Sequence, residues 1–578
     1  MDLRAAQHAA LTGLAATEAQ SSVASANIAN AQVPGYTAKT TSLTTTLAGG
    51  NATGVSLSSI SSYVNENLVR SLVAATSSET YTQTLADYLE ALSGAMGSTD
   101  SSSTIANRLS SLQTALADLA VTPESASLKY LAVEAAVATA DSLNAFSKEV
   151  QQQRANADHQ LADTIDELNV ALEEIDRLNE QITVAKALGQ ATGDLEDARR
   201  VALQTVAEKL DVSYFTTSTG ELHVYTKSGQ ALVDSRAHTL AYEAAGNVSA
   251  TMEYPSGFDE ITLDGQAVTT KLSGGEIGAL LELRDETLPA IQDELDALAA
   301  TLIEEVNAVT SQGTAVPTPQ SLTGTTSVSG TTTLSATGTM RLALVDSDGV
   351  VSSVTDLDLS SYSTVDDLVT AIDGIGGFSA SIDSNGHLVI SSDDSTLGVA
   401  VNEMDSAVGA AGAGVSAYFG LNGLFTGTSA DTIRVRSDLA ADSTLLATGT
   451  LSSASTLAAG NTGIASGDGS IAEALEDLFG QSVNFAAAGS LGGTSTTFAD
   501  YASAIVSDVA TKSSEATSAA KTADLVAENL RTSLTNESGV NLDEETARLA
   551  ALENQYAACS QMFAIINEMF EVLLGAVS

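Results

Sequence analysis

"LAALENQYAACSQMFAIINEMFEVLLGAV", residues 549–577, decides how this chain must fold. Leu549, Leu552, Tyr556, Cys559, Phe563, Ile566, Phe570 and Leu573 advance by alternating steps of three and four, the spacing that keeps one apolar seam of a helix turned toward a partner helix. Leu542 extends the seam back by seven, across a place held by Glu545. A second stripe of Met562, Ile565, Met569 and Val572 widens the apolar face enough to touch more than one neighbour. By pattern alone this suits an ordinary core helix as well as an assembling one. Working outward, the opposite end of the chain offers the first cover. Residues 3–31 read as a helix with Leu3, Ala10, Leu14, Ala24 and Ile28 on one seam, but Gln7, Thr17 and Ser21 take its remaining places. So thin a seam covers one side of the C-terminal face, and the remaining surface is expected to need partners.

The N-terminal helix stops abruptly in "NIANAQVPGYT", residues 27–37. Val33, preceding a proline, is pushed out of the helical region, and Pro34 lacks the N–H that a continuing helix needs. Pro34 and Gly35 suit the two central positions of a type II turn, the glycine supplying positive φ. Asn27 and Asn30 can cap carbonyls or bond to a neighbour, and Tyr36 offers an anchor with a polar tip.

The 578 residues carry 72 Asp and Glu against 23 Lys and Arg, a formal charge of −49. Length argues for three or four domains. The charge opposes nucleic acid and anionic membrane, since both require clustered cations and the densest basic run is Arg199-Arg200. Aromatic residues make up 4% and Trp is absent, so cores must be built from Leu, Val, Ile and Ala, which suits thin layers and long helices. Cys559 is alone, which rules out an internal disulfide framework. The N-terminus lacks the apolar core and cleavage site of a secretory signal peptide, and no run of 18 uninterrupted apolar residues predicts a transmembrane helix.

Periodicity predicts a multidomain α+β protein. Residues 37–60 read as a polar, Thr- and Gly-rich segment, followed by helical periodicity from 63 to 150. A long charged helix follows, with Leu161, Ile165, Leu168, Leu172, Ile175, Leu178 and Ile182 at coiled-coil-like spacing, then a turn at 189–194 and a helix returning over 195–210. "ELHVYTKSGQALV" reads as a strand pair with a Ser-Gly turn, and helical period returns over 273–309. The Pro-, Ser- and Thr-rich stretch 314–333 marks a boundary before a strand-rich segment. The expected domains are a terminal helical coiled-coil unit, 1–36 plus 537–578; a long-helix bundle, 37–315 plus 495–536, with a β insertion at 211–272; and a strand-rich outer domain, 316–494.

"ANIANAQVPGYT" resembles the N-terminal motif of the bacterial flagellar rod, hook and hook-associated family, usually A-N-N-I-A-N-x-x-T-P-G-Y, with Asn27, Asn30, Pro34, Gly35 and Tyr36 matching; Val33 stands where Thr is usual. The ending "SGVNLDEETARLAALENQYAACSQMFAIINEMFEVLL" is similar to that of the FlgK branch of hook-associated proteins, and "GGEIGALLELRD" and "VYTKSGQALV" agree. The resemblance covers residues 1–315 and 495–578. It implies a structural protein of the hook-filament junction, located outside the cell and exported by the flagellar type III apparatus without a cleaved signal. Its implied partners are a ring of copies of itself, the hook protein, hook-associated protein 3 or filament flagellin, and an export chaperone on the C-terminal helix.

Catalytic signals are lacking: no Lys follows a Gly, H-E-x-x-H and G-x-S-x-G are absent, and His8, His159, His223, His238 and His387 are scattered. Asp346, Asp348 and Gly349 echo part of a calcium loop but read better as a hairpin turn. No catalytic residue, cofactor or metal is expected. Another axial protein of the flagellum, or a secreted enzyme carried by the outer domain, remain the alternative readings.

Overall fold

The computed structural model describes residues 3–48, 50–97 and 104–577. Helix α1 (Leu3–Asn30) leads through a turn into an antiparallel hairpin, β1 (Lys39–Ala48) and β2 (Asn51–Ser62), that lies along α1. Residues 37–60, expected only as a polar segment, form strands because threonines and other residues suited to a pleated ribbon fill both arms, and Gly50 turns the chain at φ 83°.

Helices α2 (Glu66–Met96), α3 (Ile105–Val121), α4 (Ala126–Ala187) and α5 (Gly193–Lys209) build the bundle. The first three begin where Asn65, Thr104 and Ser125 accept from first-turn N–H groups. Its 62 residues make α4 the longest element, a rod of roughly 90 Å. Leu161, Ile165, Leu168, Leu172, Ile175, Leu178 and Ile182 are all 2% exposed or less, so the expected seam is the spine of the core. A small sheet of β3 (Val212–Thr216), β4 (Leu222–Thr226) and β5 (Ala231–Val233) follows, with Gly229 in the expected turn at φ 88°. A second sheet has β6 (Leu240–Ala241), β7 (Thr262–Leu263) and β8 (Gln266–Ala267). Helices α6 (Gly275–Glu282) and α7 (Leu288–Thr310) are joined by a wider helical turn over 283–287.

That turn carries a buried ionic latch. Arg284 and Asp158 have side chains with no exposure and meet at 2.9 Å. Arg284 also donates to the Tyr242 hydroxyl at 2.6 Å, and Asp158 accepts the Ala245 N–H at 2.7 Å. Arg154, one turn earlier on α4, donates to the Arg284 carbonyl at 3.1 Å and to the Met252 carbonyl at 2.7 Å. The Phe258 ring lies 4.3 Å from the Arg284 guanidinium and 5.6 Å from that of Arg154. The loop between β6 and β7 is thereby clamped onto α4.

The outer body is two antiparallel three-stranded sheets. One orders β11 (Val351–Asp358), β10 (Thr339–Val345) and β14 (Gly398–Asn402); the other orders β12 (Phe378–Ile382), β13 (Leu388–Ser392) and β9 (Ser321–Thr323). With α8 (Val365–Asp373) and α9 (Val415–Phe419) they enclose a core of Leu342, Leu344, Leu368, Ile372, Ile390, Val401 and Phe419. Asp346 accepts from the N–H groups of Asp348 and Val350, as a hairpin turn requires.

Beyond it lie β15 (Phe425–Thr426), β16 (Arg434–Val435), α10 (Ser437–Ala441), α11 (Ser470–Gly480), β17 (Val483–Phe485) and β18 (Thr494–Thr496). Here the expected boundary moves. Leu424, Phe425, Ile433, Leu439, Leu446, Ile471, Leu475, Phe479 and Phe485 belong to the same core as the long helices, so residues 424–446 and 471–485 pack on the bundle although the sequence places them within 316–494. They do so because Phe485 and Phe479 meet Phe498 and Tyr501 at the start of α12 (Phe498–Ser538). The last helix is α13 (Leu542–Val577).

The connection between bundle and outer body is tied at one point. Thr314 pairs with Gly449, and the ammonium of Lys129, 2% exposed, donates to the carbonyls of Val316 at 3.1 Å and Thr444 at 3.2 Å. Burial pushes Lys129 down to about 8 against the partial opposition of Asp442.

Two outcomes follow. Asp285 keeps its grip on the Arg284 guanidinium at 2.7 and 2.8 Å, so Asp158→Ala strips an acceptor from Arg284, from the Tyr242 hydroxyl and from the Ala245 N–H, and lowers unfolding free energy by about 2 to 4 kcal/mol in chemical denaturation. From pH 8 toward 10.5 the folded chain sheds a Lys129 proton that the unfolded chain keeps, so stability rises with pH across that window. Denaturation midpoints at pH 7.5 and 9.5 show this gain in the native chain and not in Lys129→Met.

Candidate functional site: the joint of the two chain ends

The ends of the chain meet through a turn, a knot of polar side chains and a helix pair. The turn is Val33–Tyr36: Tyr36 N–H donates to the Val33 carbonyl at 3.2 Å, and Gly35 has φ 78°, the type II geometry expected. A Cβ on Gly35 would stand 2.4 Å from Val201 Cγ2, so close approach to α5 demands glycine as well.

Asn27 is fully buried and uses its whole amide. Its Nδ2 donates to the Lys39 carbonyl at 2.9 Å and to Glu545 Oε1 at 3.1 Å. Its Oδ1 accepts from the Lys39 N–H at 2.9 Å and the Tyr36 hydroxyl at 3.0 Å. One side chain thus links α1, the turn, β1 and α13. Burial, with Asp194 and Asp197 nearby, pushes the Tyr36 hydroxyl above its ordinary range, so it stays a donor. Beside this knot Asp197 of α5 accepts from the Thr37 N–H at 3.0 Å and hydroxyl at 2.8 Å, pairs with Arg200 at 2.8 Å, and pairs with Lys39. The Lys39 ammonium lies 4.4 Å from the centre of the Tyr36 ring. Ala38 N–H donates to the Ser538 carbonyl at 2.9 Å, which ties the turn to the end of α12.

Asn30 plays a smaller part, donating back to the Ala26 carbonyl of its own helix at 2.9 Å. Lys39, Thr37 and Asp197 do not figure among the sequence-derived site residues. One signal for them was available: Lys39 is the single Lys or Arg between Arg4 and Arg70. Glu545, read as an interruption of the seam, is 8% exposed and turned into the knot, while Asn541 caps α13 by accepting from Asp543 N–H at 3.1 Å.

Helices α1 and α13 run antiparallel, with Gln7 against Asn567 and Gly13 against Cys559. A Cβ on Gly13 would meet Cys559 Sγ at 3.3 Å, and Ala10, Ala16, Thr17 and Ala24 are buried between the helices and the hairpin. Along α13 the structure buries Leu552 and Ile566 and half-buries Leu549, Cys559, Phe563 and Phe570. Leu3, Leu14 and Ile28 are half-buried on α1. The seam does not close along its length: Leu542, Tyr556 and Leu573 are 44%, 47% and 53% exposed, because the small side chains of the single facing helix α1 cover only part of it. The second stripe of Met562, Ile565, Met569 and Val572 is exposed too. The helical run 498–576 contains one window long and apolar enough by composition to cross a membrane, where none was expected; a helix with an uncovered apolar face meets the same criterion. Among the described residues no group of three or more His, Cys, Asp or Glu could hold a metal ion.

Comparison with known proteins agrees with this anatomy. Residues 8–37 match the family described as flagella basal body rod protein, and 533–576 match the flagellar basal body rod FlgEFG protein C-terminal family. Between them, 89–324 match the flagellar hook-associated protein FlgK helical domain. The chain belongs to the flagellar rod, hook and hook-associated family. Within it the relatives are FlgK proteins: flagellar hook-associated protein 1 of Salmonella typhimurium is 24% identical over 579 residues, and that of Escherichia coli 23% over 594, each alignment covering 98% of both chains. The solved flagellar hook junction protein FlgK from Burkholderia pseudomallei is 19% identical, with a TM-score of 0.49 over 80% of this chain and 99% of that one.

Asn27→Ala strands the Lys39 backbone groups, the Tyr36 hydroxyl and Glu545 together, and lowers the free energy for opening the α1–α13 pair by about 2 to 4 kcal/mol, read by amide hydrogen exchange on those helices. Gly35→Ala, strained in φ and crowded by Val201, accelerates exchange at the same sites.

Proposed function

We propose that this chain is a structural subunit of the bacterial flagellum at the junction of hook and filament, assembled through its terminal helices. The observation that carries the reading is the uncovered apolar face of α13, anchored beside the joint but only partly screened by α1. Met562, Ile565, Met569, Val572, Leu573 and Leu574 lie on it, between 44% and 70% exposed. Covering what remains open there would contribute on the order of 5 to 10 kcal/mol per subunit before docking costs. An apolar face of that kind on a −49 chain calls for protein neighbours.

In this reading α1 and α13 pack against the same helices of neighbouring copies to form a ring, as a coiled-coil layer. Asn27, Asn30, Pro34, Gly35 and Tyr36 set the angle at which the pair leaves the bundle. The hook protein adjoins one side of the ring and hook-associated protein 3 or flagellin the other. Export proceeds through the flagellar type III apparatus, and a chaperone covers the α13 face until assembly. The bundle and outer body serve as structure.

Deleting 541–578 abolishes filaments on hooks, scored by electron microscopy; normal filaments from the exported, truncated chain would falsify the reading. Ile565→Glu, at an exposed position, leaves the monomer's unfolding free energy within about 0.5 kcal/mol and also removes filaments.

A further inference from the structure

Four of the 23 basic residues, Arg70, Lys186, Arg199 and Arg200, line one cleft of about 440 Å³ between the start of α2, α5 and the β3–β4 hairpin. The carboxylates beside them are Glu66 and Glu196. Lys186 holds Glu196 at 3.1 Å, and Arg200 is held by Asp197 at 2.8 Å. The other two guanidinium groups have no ion pair among the described residues. Arg199 donates to neutral oxygens, Asn179 Oδ1 at 2.8 Å and the Gly220 carbonyl at 2.7 Å. Arg70 is exposed and reaches only Asn67 Oδ1, at 3.4 Å. Alongside, the Tyr214 hydroxyl is buried without a partner, and Phe215 is 51% exposed and stacked on Tyr225. In so acidic a molecule, unpaired guanidinium groups beside an exposed aromatic ring form a receptor for carboxylates on an apolar support.

The complementary surface lies on the other flank of α2. Positions 66, 69 and 70 of α2 face the cleft, whereas 75, 78 and 82 face α12. At 100° per residue these two faces point about 150° apart. There α12 presents Asp524, Leu525, Val526 and Glu528, with Leu525 61% and Val526 49% exposed. Asp524 has no ion pair among the described residues, and Glu528 reaches Arg531 only at 3.9 Å. Asp524 and Glu528 stand one turn apart on one side of α12 with the exposed Leu525 beside them, two carboxylates next to an apolar side chain, the inverse of the cleft.

We propose that the Arg70–Arg199 cleft receives the Asp524–Glu528 ridge of a second copy of this chain, which names the lateral contact between neighbours and rests on the assembly reading above. Because donor and acceptor surfaces occupy opposite flanks of one helix, the contact is head to tail and repeats from subunit to subunit.

Charge reversal tests it in cells that export the full chain. Arg70→Glu, and separately Asp524→Lys with Glu528→Lys, reduce filament-bearing hooks at least tenfold, and the three substitutions together restore them. In a Cys559→Ala background, Arg70→Cys with Asp524→Cys gives a disulfide-linked ladder of copies in isolated organelles treated with a mild oxidant. Normal filaments with Arg70→Glu, no rescue by a triple variant whose denaturation midpoint is unchanged, or a chain that assembles without the ladder each overturn the proposal. A cross-link to a different axial protein overturns it equally. Should Ile565→Glu remove filaments while Arg70→Glu does not, the lateral contact fails and the junction reading stands.

Discussion

The amide of Asn27 is the constraint from which the rest follows. A buried amide with two donors and two acceptors is tolerable only when all four are matched, and here the matches come from three stretches of chain: Tyr36 of the turn, both backbone groups of Lys39 in the hairpin, and Glu545 of the final helix. The beginning, the turn, the hairpin and the final helix must therefore arrive together. Asp197 extends the same requirement to α5 through Thr37, Lys39 and Arg200. Terminal helices elsewhere in proteins fray; these are held to the bundle by a polar knot, while their mutual contact stays thin and small-residued.

Composition explains why the body is a rod. With few aromatic side chains and no Trp, no single core grows thick, so the chain lays Leu, Ile and Ala along a 62-residue helix and buttresses it on its flanks. The few bulky groups are spent at corners: Phe479, Phe485, Phe498 and Tyr501 where α12 begins, and Phe258 between two arginines where the β loop folds back.

The long helices, the Ser-Gly hairpin and the Pro-Gly turn could be read from periodicity and local sterics, because each depends on neighbours within a few residues. Residues 39–62 could not: a ribbon exposed on much of its surface carries no clean alternation, and its pairing depends on α1. The outer boundary escaped for a related reason, since Phe485 looks like any strand residue until Phe498 and Tyr501 are placed beside it. The site was half legible. Asn27 and Tyr36 belong to a motif, but their contacts with Lys39 and Glu545 join positions up to 518 residues apart, and Glu545 was disguised as a break in an apolar pattern.

The crossings between bundle and outer body are gathered in one place: Asn422 donates to the Gly313 carbonyl at 2.9 Å, Thr314 pairs with Gly449, and the Ile471 N–H donates to the Thr448 carbonyl at 3.0 Å. A module hung from a single doorway transmits no strain to the frame when it changes size, since loop closure grows only slowly with length. Evolution can therefore enlarge, trim or exchange what hangs there, presenting new surface to the surroundings, while the frame and its knotted ends keep one geometry.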